Sequence, residues 1–190
     1  MSRFNIPVSA VVMAALAICA APASADEVDA CAHFTWNVSH ETGVMKQTPQ
    51  SVTAAVTPGS KSPLLQVEKL YELKLTGQEG VTYATTPAKP AHAEKPQGGM
   101  VRFRVPKAGV YRISISSGHW IDVLDGTQFV KSRDFQASHG CARPRKIVEF
   151  DLPGGRDLTL QLSGFPDATV MVAITAVSGR PNAPTARAAP

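Results

Sequence analysis

Residues 100–130 read MVRFRVPKAGVYRISISSGHWIDVLDGTQFV, and this run decides the fold class. Val101, Phe103 and Val105 alternate with Arg102 and Arg104. After Pro106-Lys107-Ala108-Gly109 the alternation resumes as Tyr111, Ile113 and Ile115 against Arg112, Ser114 and Ser116. Successive side chains of an extended chain point to opposite faces, so each segment reads as a strand with one apolar and one polar face. The short Pro/Gly turn between them predicts a hairpin. Residues 120–124 and 128–130 flank Asp125-Gly126, a pair that tolerates the positive φ of a tight two-residue turn.

Working outward, the same period recurs. Tyr71, Leu73 and Leu75 alternate with Glu72 and Lys74. Val148, Phe150 and Leu152 alternate with Glu149 and Asp151, and Leu158, Leu160 and Leu162 follow after Pro153-Gly154-Gly155-Arg156-Asp157, which predicts a second hairpin. Val170, Val172, Ile174 and Ala176 form a closing strand. One-sided alternation suits antiparallel sheets packed face to face. The expected fold is therefore all-β, an antiparallel β-sandwich or jelly roll of about eight to ten strands, with a barrel as the alternative. Helix is confined to one short N-terminal piece over residues 40–46, with Ser39 as its cap. Residues 85–99 carry Pro87, Pro90, Pro96 and Gly98-Gly99 and read as a long loop, of a length that is usually functional or mobile.

The first 25 residues read as a cleaved signal peptide. Arg3 gives a positive start, residues 8–21 are apolar but too short to span a bilayer, and Ala23-Ser24-Ala25 supplies small residues at a cleavage point. Cys19, in Leu16-Ala17-Ile18-Cys19, offers an alternative as a lipidation site, against which stands the bulky Ile18. The expected division is a signal peptide over 1–25, an N-terminal extension over 26–50, a β-sandwich over 51–178 and a disordered tail over 179–190. The reading places the chain in the bacterial periplasm or exterior, with no membrane span.

Three cysteines are present, and cleavage of the leader leaves Cys31 and Cys141. An even pair in an oxidising compartment predicts a disulfide that tethers the N-terminal extension to the sandwich. The formal charge of the full chain is +4. The densest basic group, Arg143-Pro144-Arg145-Lys146, lacks the interleaved aromatics that stack on bases, so nucleic acid is not an expected partner.

Residues 100–130 resemble the "strand, Pro, small, Gly, aromatic, strand, Asp, Gly" core of the pre-peptidase C-terminal type of secreted bacterial β-sandwich, and the resemblance spans residues 71–177. It implies a non-catalytic accessory domain that binds polymers or assists the folding and secretion of a neighbour. The chain departs from that pattern in lacking a catalytic partner within it and in carrying a disulfide to an N-terminal extension.

No nucleophile elbow, zinc-protease helix, phosphate loop or dinucleotide fingerprint occurs. Two constellations are candidates for a site. His33 lies two residues after Cys31 and His139 two before Cys141. If the bridged segments were extended and antiparallel, residues 33 and 139 would face each other at about 5 Å between Cβ atoms, within reach of one divalent metal with His119, or with Glu41 beside His40, as third ligand. The more ordinary reading is of polar groups beside a structural bridge. The second constellation is Trp120, Asp122 and His119. Trp120, Asp122 and Leu124 share one face of their strand and Ile121 and Val123 the other, so either set could be inward. If Ile121 and Val123 are, Trp120 and Asp122 turn outward, an aromatic face beside a carboxylate of the kind that holds a sugar ring; Trp packing in the core or at a sheet edge is the ordinary alternative. The leading function is a non-catalytic binding or interaction protein of the periplasm whose ligand is a glycan or an envelope protein. The alternatives are a small metal-dependent oxygenase or hydrolase using the histidines, and a structural envelope protein.

Overall fold

The computed structural model describes residues 31 and 33–177; the signal peptide, Cys19 and the tail over 179–190 lie outside the described residues. Along them the chain runs α1 (Ser39–Met45), β1 (Gln50–Thr53), β2 (Leu64–Leu65), β3 (Leu70–Lys74), β4 (Thr76–Gly77), a 3-10 turn (Gln78–Gly80), β5 (Gln97–Arg104), β6 (Gly109–Ile115), β7 (Trp120–Asp125), β8 (Gln128–Phe129), β9 (Ser132–Ala137), β10 (Lys146–Leu152), β11 (Asp157–Phe165) and β12 (Thr169–Ala176).

These strands form a β-sandwich. One sheet has the order β1-β3-β12-β6-β10-β9, the other β2-β5-β11-β7-β8 with β4 on β5. The residues that alternation marks as apolar meet between the sheets: Tyr71, Ile113, Ile115, Phe150 and Val172 from the first, Phe103, Ile121, Val123, Leu160 and Leu162 from the second. Each such fully buried side chain contributes roughly 1.5–3 kcal/mol of transfer free energy. The sheets are mixed rather than purely antiparallel, because β1 pairs with β3 and β2 with β5 in parallel.

Neither of the two long predicted hairpins forms. β5 pairs with β11 and lies in the second sheet, whereas β6 pairs with β10 and β12 in the first. Likewise β10 and β11 sit in opposite sheets. Alternation fixes which face is buried but not whether the next strand turns back beside its predecessor or arches over the core, and both connections here arch. The two arches nest: the Gly155 N–H donates to the Val105 carbonyl at 2.9 Å, and a Cβ on Gly154 would stand 2.4 Å from the Ala108 nitrogen. Only the Asp125-Gly126 turn makes the hairpin its sequence predicts, pairing Leu124 with Phe129 while Gly126 takes φ 63°.

The polar faces of the central strands are not wet. Across the first sheet lies the segment from Cys31 to Met45. Phe34 and Val38 pack on Ile147 and Cys141, and Val44 and Met45 on Leu70 and Ala173. The expected disulfide Cys31–Cys141 is present, with a Cα–Cα distance of 4.7 Å, and fastens this segment. The helix begins one residue earlier than expected: Val38 is its cap, without a side-chain bond, and Ser39 Oγ donates to Asn37 Oδ1 instead. Beneath it Arg112, nearly fully buried, donates to Glu41 at 3.1 Å, to Glu149 at 3.2 Å and to the Asn37 carbonyl at 3.0 Å. Trp36 lies 4.5 Å from its guanidinium carbon.

Across the second sheet lies the loop before β5. Tyr83 Oη donates to the Leu162 carbonyl at 2.9 Å, and burial with the nearby Asp122 pushes its pKa up to about 12. Thr85 exchanges bonds with the Gln161 amide, and the Ala88 N–H donates to Asp122 at 3.0 Å. A long loop fixed at so many points is a cover rather than a mobile excursion.

Candidate ligand-binding site

The strand β7 carries most of the residues that the sequence singles out, and its parity separates their fates. Ile121 and Val123 enter the core, so Trp120 and Asp122 turn to the outer face, as that alternative requires. Trp120 is 38% exposed, while Asp122 retains 6% exposure beneath the loop cover. The carboxylate accepts from the indole Nε1–H at 2.8 Å and from the Ala88 N–H at 3.0 Å. Its burial raises the pKa of the carboxyl, an effect opposed by those two N–H donors. Asp122 therefore fixes the indole. The Lys89 ammonium lies over the Trp120 ring, 5.7 Å from its centroid and within cation–π range.

His119 is fully buried. Its Nδ1 pairs with Ser117 Oγ at 2.7 Å, its ring meets Phe165 edge-on at 5.5 Å, and its Nε2 has no hydrogen-bond partner among the described atoms. Burial, reinforced by the Lys146 charge, lowers its pKa to about 4, so the imidazole is neutral at pH 7.

The other histidines stand apart from it. Cys31 is in helical backbone and Cys141 in an irregular stretch, so the extended pairing that would bring residues 33 and 139 face to face is absent. His33 is exposed, and His139 Nδ1 accepts from Arg145 at 3.2 Å. The alternative ligands Glu41 and His40 are engaged with Arg112 and Glu68 respectively. Among the described residues no group of three or more His, Cys, Asp or Glu side chains is placed to hold a metal ion.

Trp120 instead shares a pocket with residues that sequence reasoning passed over. At the edge of the sandwich, where β9 borders the first sheet and β7 the second, Trp120, Ile121, Ser132, Phe135, Lys146 and Val148 enclose about 90 Å³. Ile121 and Val148 belong to the core and form its apolar floor. Phe135 lies beside Val148 in register and is 63% exposed, an unusual position for a large aromatic. Lys146 Nζ donates to the His119 carbonyl at 2.6 Å and the Gly118 carbonyl at 3.2 Å, bracing the turn that leads into Trp120. β9 escaped notice because Ser132-Arg133-Asp134-Phe135-Gln136-Ala137 has no apolar alternation; the lone Phe in a polar run was its one signal.

A wider open depression of about 720 Å³ lies along β9 near Arg133, Glu149 and Asp151. Three of its charges meet each other, with Arg133 reaching Asp151 at 2.8 Å and Glu149 at 3.3 Å.

No family model matches the chain, and no curated protein matches it. A similar solved structure is the pre-peptidase C-terminal domain of a collagenase from Bacillus anthracis, 9% identical with a TM-score of 0.35, covering 68% of this chain and 98% of that domain. No helix among the described residues is long and apolar enough to cross a membrane.

Proposed function

We propose that this chain is an exported, non-catalytic β-sandwich that binds a ligand through the Trp120–Phe135 pocket, with a sugar ring as the group that lies against the aromatic faces. The supporting observation is a half-exposed indole held in one orientation by Asp122, next to an exposed phenyl ring on the rim of a pocket with an apolar floor. Aromatic faces offer a broad apolar surface to the C–H groups of a pyranose, and fixing the ring in advance lowers the ordering cost of binding. Ser132 and Lys146 supply polar groups at the rim. Export rests on the leader over 1–25 and the Cys31–Cys141 bridge, which suits an oxidising compartment.

The test uses Trp36→Phe as background, which leaves Trp120 as the only indole. A panel of soluble oligosaccharides is titrated while emission is recorded. Saturable change with at least one saccharide, lost in Trp120→Ala and weakened about tenfold in Phe135→Ala, supports the reading. Emission that stays flat across the panel, or binding indifferent to both substitutions, refutes it.

A further inference from the structure

Among the described residues, Lys146 in this pocket and the nearby Arg145 and Lys89 have no carboxylate partner. Lys146 Nζ is half-buried, yet its contacts are two neutral carbonyls, and among the described residues it makes no ion pair. Arg145 beside it bonds to His139 and lies 5.7 Å over the Phe165 ring, again with no acid. Lys89 has the Trp120 ring as its recorded neighbour. Five of the seven described arginines are ion-paired: Arg102 and Arg104 with Asp157, Arg112 with Glu41 and Glu149, Arg133 with Asp151, Arg156 with Asp125. None of the described lysines is, and Lys146 alone among them is not exposed. A partly desolvated charge without a counterion is costly, and the cost is relieved when an anion arrives. An ammonium has three N–H donors, and the two carbonyls occupy two of those on Lys146. Burial and the neighbouring Arg145 both press its pKa downward, the direction expected of a cation lacking its anion.

Size narrows the group that enters. At about 90 Å³ the pocket is well under the roughly 300 Å³ at the lower end of sites that enclose a whole small molecule. That admits a carboxylate and the ring edge bearing it, while the rest of a pyranose stays outside against Trp120 and Phe135. We propose that the ligand is an acidic polysaccharide, read through a uronate unit whose ring stacks on the aromatic pair and whose carboxylate meets Lys146. The inference rests on the ring-binding reading above and adds the charge to it.

The test compares oligogalacturonate and oligomannuronate with their methyl esters, which keep the ring and remove the charge, using Trp120 emission in the Trp36→Phe background. The expected result is binding of at least one acid ten or more times tighter than its ester, weakening as salt is raised because the attraction is screened. In Lys146→Gln the acid falls to the level of the ester. Should that variant fail to fold, the ester comparison on the Lys146 protein decides alone. Acid and ester within tenfold of each other overturn the uronate inference and leave ring binding standing. No response to any acidic or neutral saccharide overturns both. Tighter binding of polyglutamate of matched charge overturns the saccharide in favour of an acidic peptide.

Discussion

Replacing Arg112 with Met tests whether the N-terminal segment is held by buried charge or by apolar contact alone. Arg112 sits under that segment with 6% side-chain exposure, Glu41 and Glu149 with 2% and 1%. Glu41 belongs to the covering helix and Glu149 to β10, so the guanidinium joins cover to sheet. Thr175 also donates to Glu41 Oε1, at 3.4 Å, while Glu41 Oε2 has no hydrogen bond among the described atoms. Removing the cation leaves Glu41 facing a second buried carboxylate across the vacated space. Breaking one partner out of a buried ionic cluster costs about 3–5 kcal/mol, mostly as the penalty of the charge left behind. Arg133 reaches Glu149 from the rim at 3.3 Å and softens that penalty, which places the expected loss near the lower end, about 3 kcal/mol. Urea unfolding at pH 7 measures it. The triple variant Arg112→Met with Glu41→Gln and Glu149→Gln removes the stranded charges and is expected to recover at least half of the loss. Emission of Trp36, which stacks on the guanidinium at 4.5 Å, should shift to longer wavelength in the single variant as the cover loosens. A loss below about 1 kcal/mol, or a triple variant no better than the single one, refutes the charge-clasp argument and assigns the cover to Phe34, Val38, Val44 and Met45.

Three further outcomes follow from the same geometry. His119 titrates near 6.5 when unfolded and is held neutral down to about 4 when folded, so its contribution is complete above pH 6.5 and is lost as pH falls toward 4; at about 1.36 kcal/mol per unit the loss approaches about 3 kcal/mol, and unfolding of His119→Gln across that range should lack this slope. Gly154→Ala drives a Cβ to 2.4 Å from the Ala108 backbone where the arches nest, with an expected cost of about 1–3 kcal/mol by thermal melting, whereas alanine at Gly43, which meets nothing within 4 Å, should be neutral or stabilising. Cys31→Ser with Cys141→Ser opens a bridge between residues 110 apart in sequence, for which the chain-entropy model gives on the order of 4–5 kcal/mol; a difference under about 1 kcal/mol in urea would show that the link constrains little beyond its own segment.

What was legible in the chain, and what was not, divides along a physical line. Period-two alternation reports which side chains are buried, and it placed Phe103, Ile113, Phe150, Leu160 and Val172 in the core correctly. It carries no information on the partner of each strand, since an arch and a hairpin bury the same face, and so β5 and β6 were joined where they in fact lie in opposite sheets. Polarity marks Arg112, Glu149 and Gln161 as outward, which they are, but outward is not wet when a second segment lies on top. The bridge was readable because only one pairing of the remaining cysteines exists, and its register was not, because the cysteines lie outside the strands. At the site, parity puts Trp120 and Ile121 on opposite faces of β7 but leaves open which face is inward, because Leu124 shares the face of Trp120. Phe135 and Lys146 were not legible, because they arrive from β9 and β10, distant in sequence and brought near Trp120 only by the closing of the sandwich.

The covers also explain why the pocket lies where it does. A segment on each outer face consumes the polar side chains there: Arg112 and Glu149 under one, Asp122 and Gln161 under the other. A ligand therefore meets a chain whose faces are already occupied, and what remains is the border between the sheets, where β9 presents Phe135 and β7 presents Trp120. Each contact that orients this border also belongs to a cover or to the turn below it. Ala88 of the loop cover donates to Asp122, Asp122 accepts from the indole, and Lys146 holds the carbonyls of Gly118 and His119. Loosening the loop cover should thus be felt at Trp120 before it is felt in the core, because the indole shares a hydrogen-bond acceptor with the loop while Ile113 and Phe103 share only apolar contacts with one another.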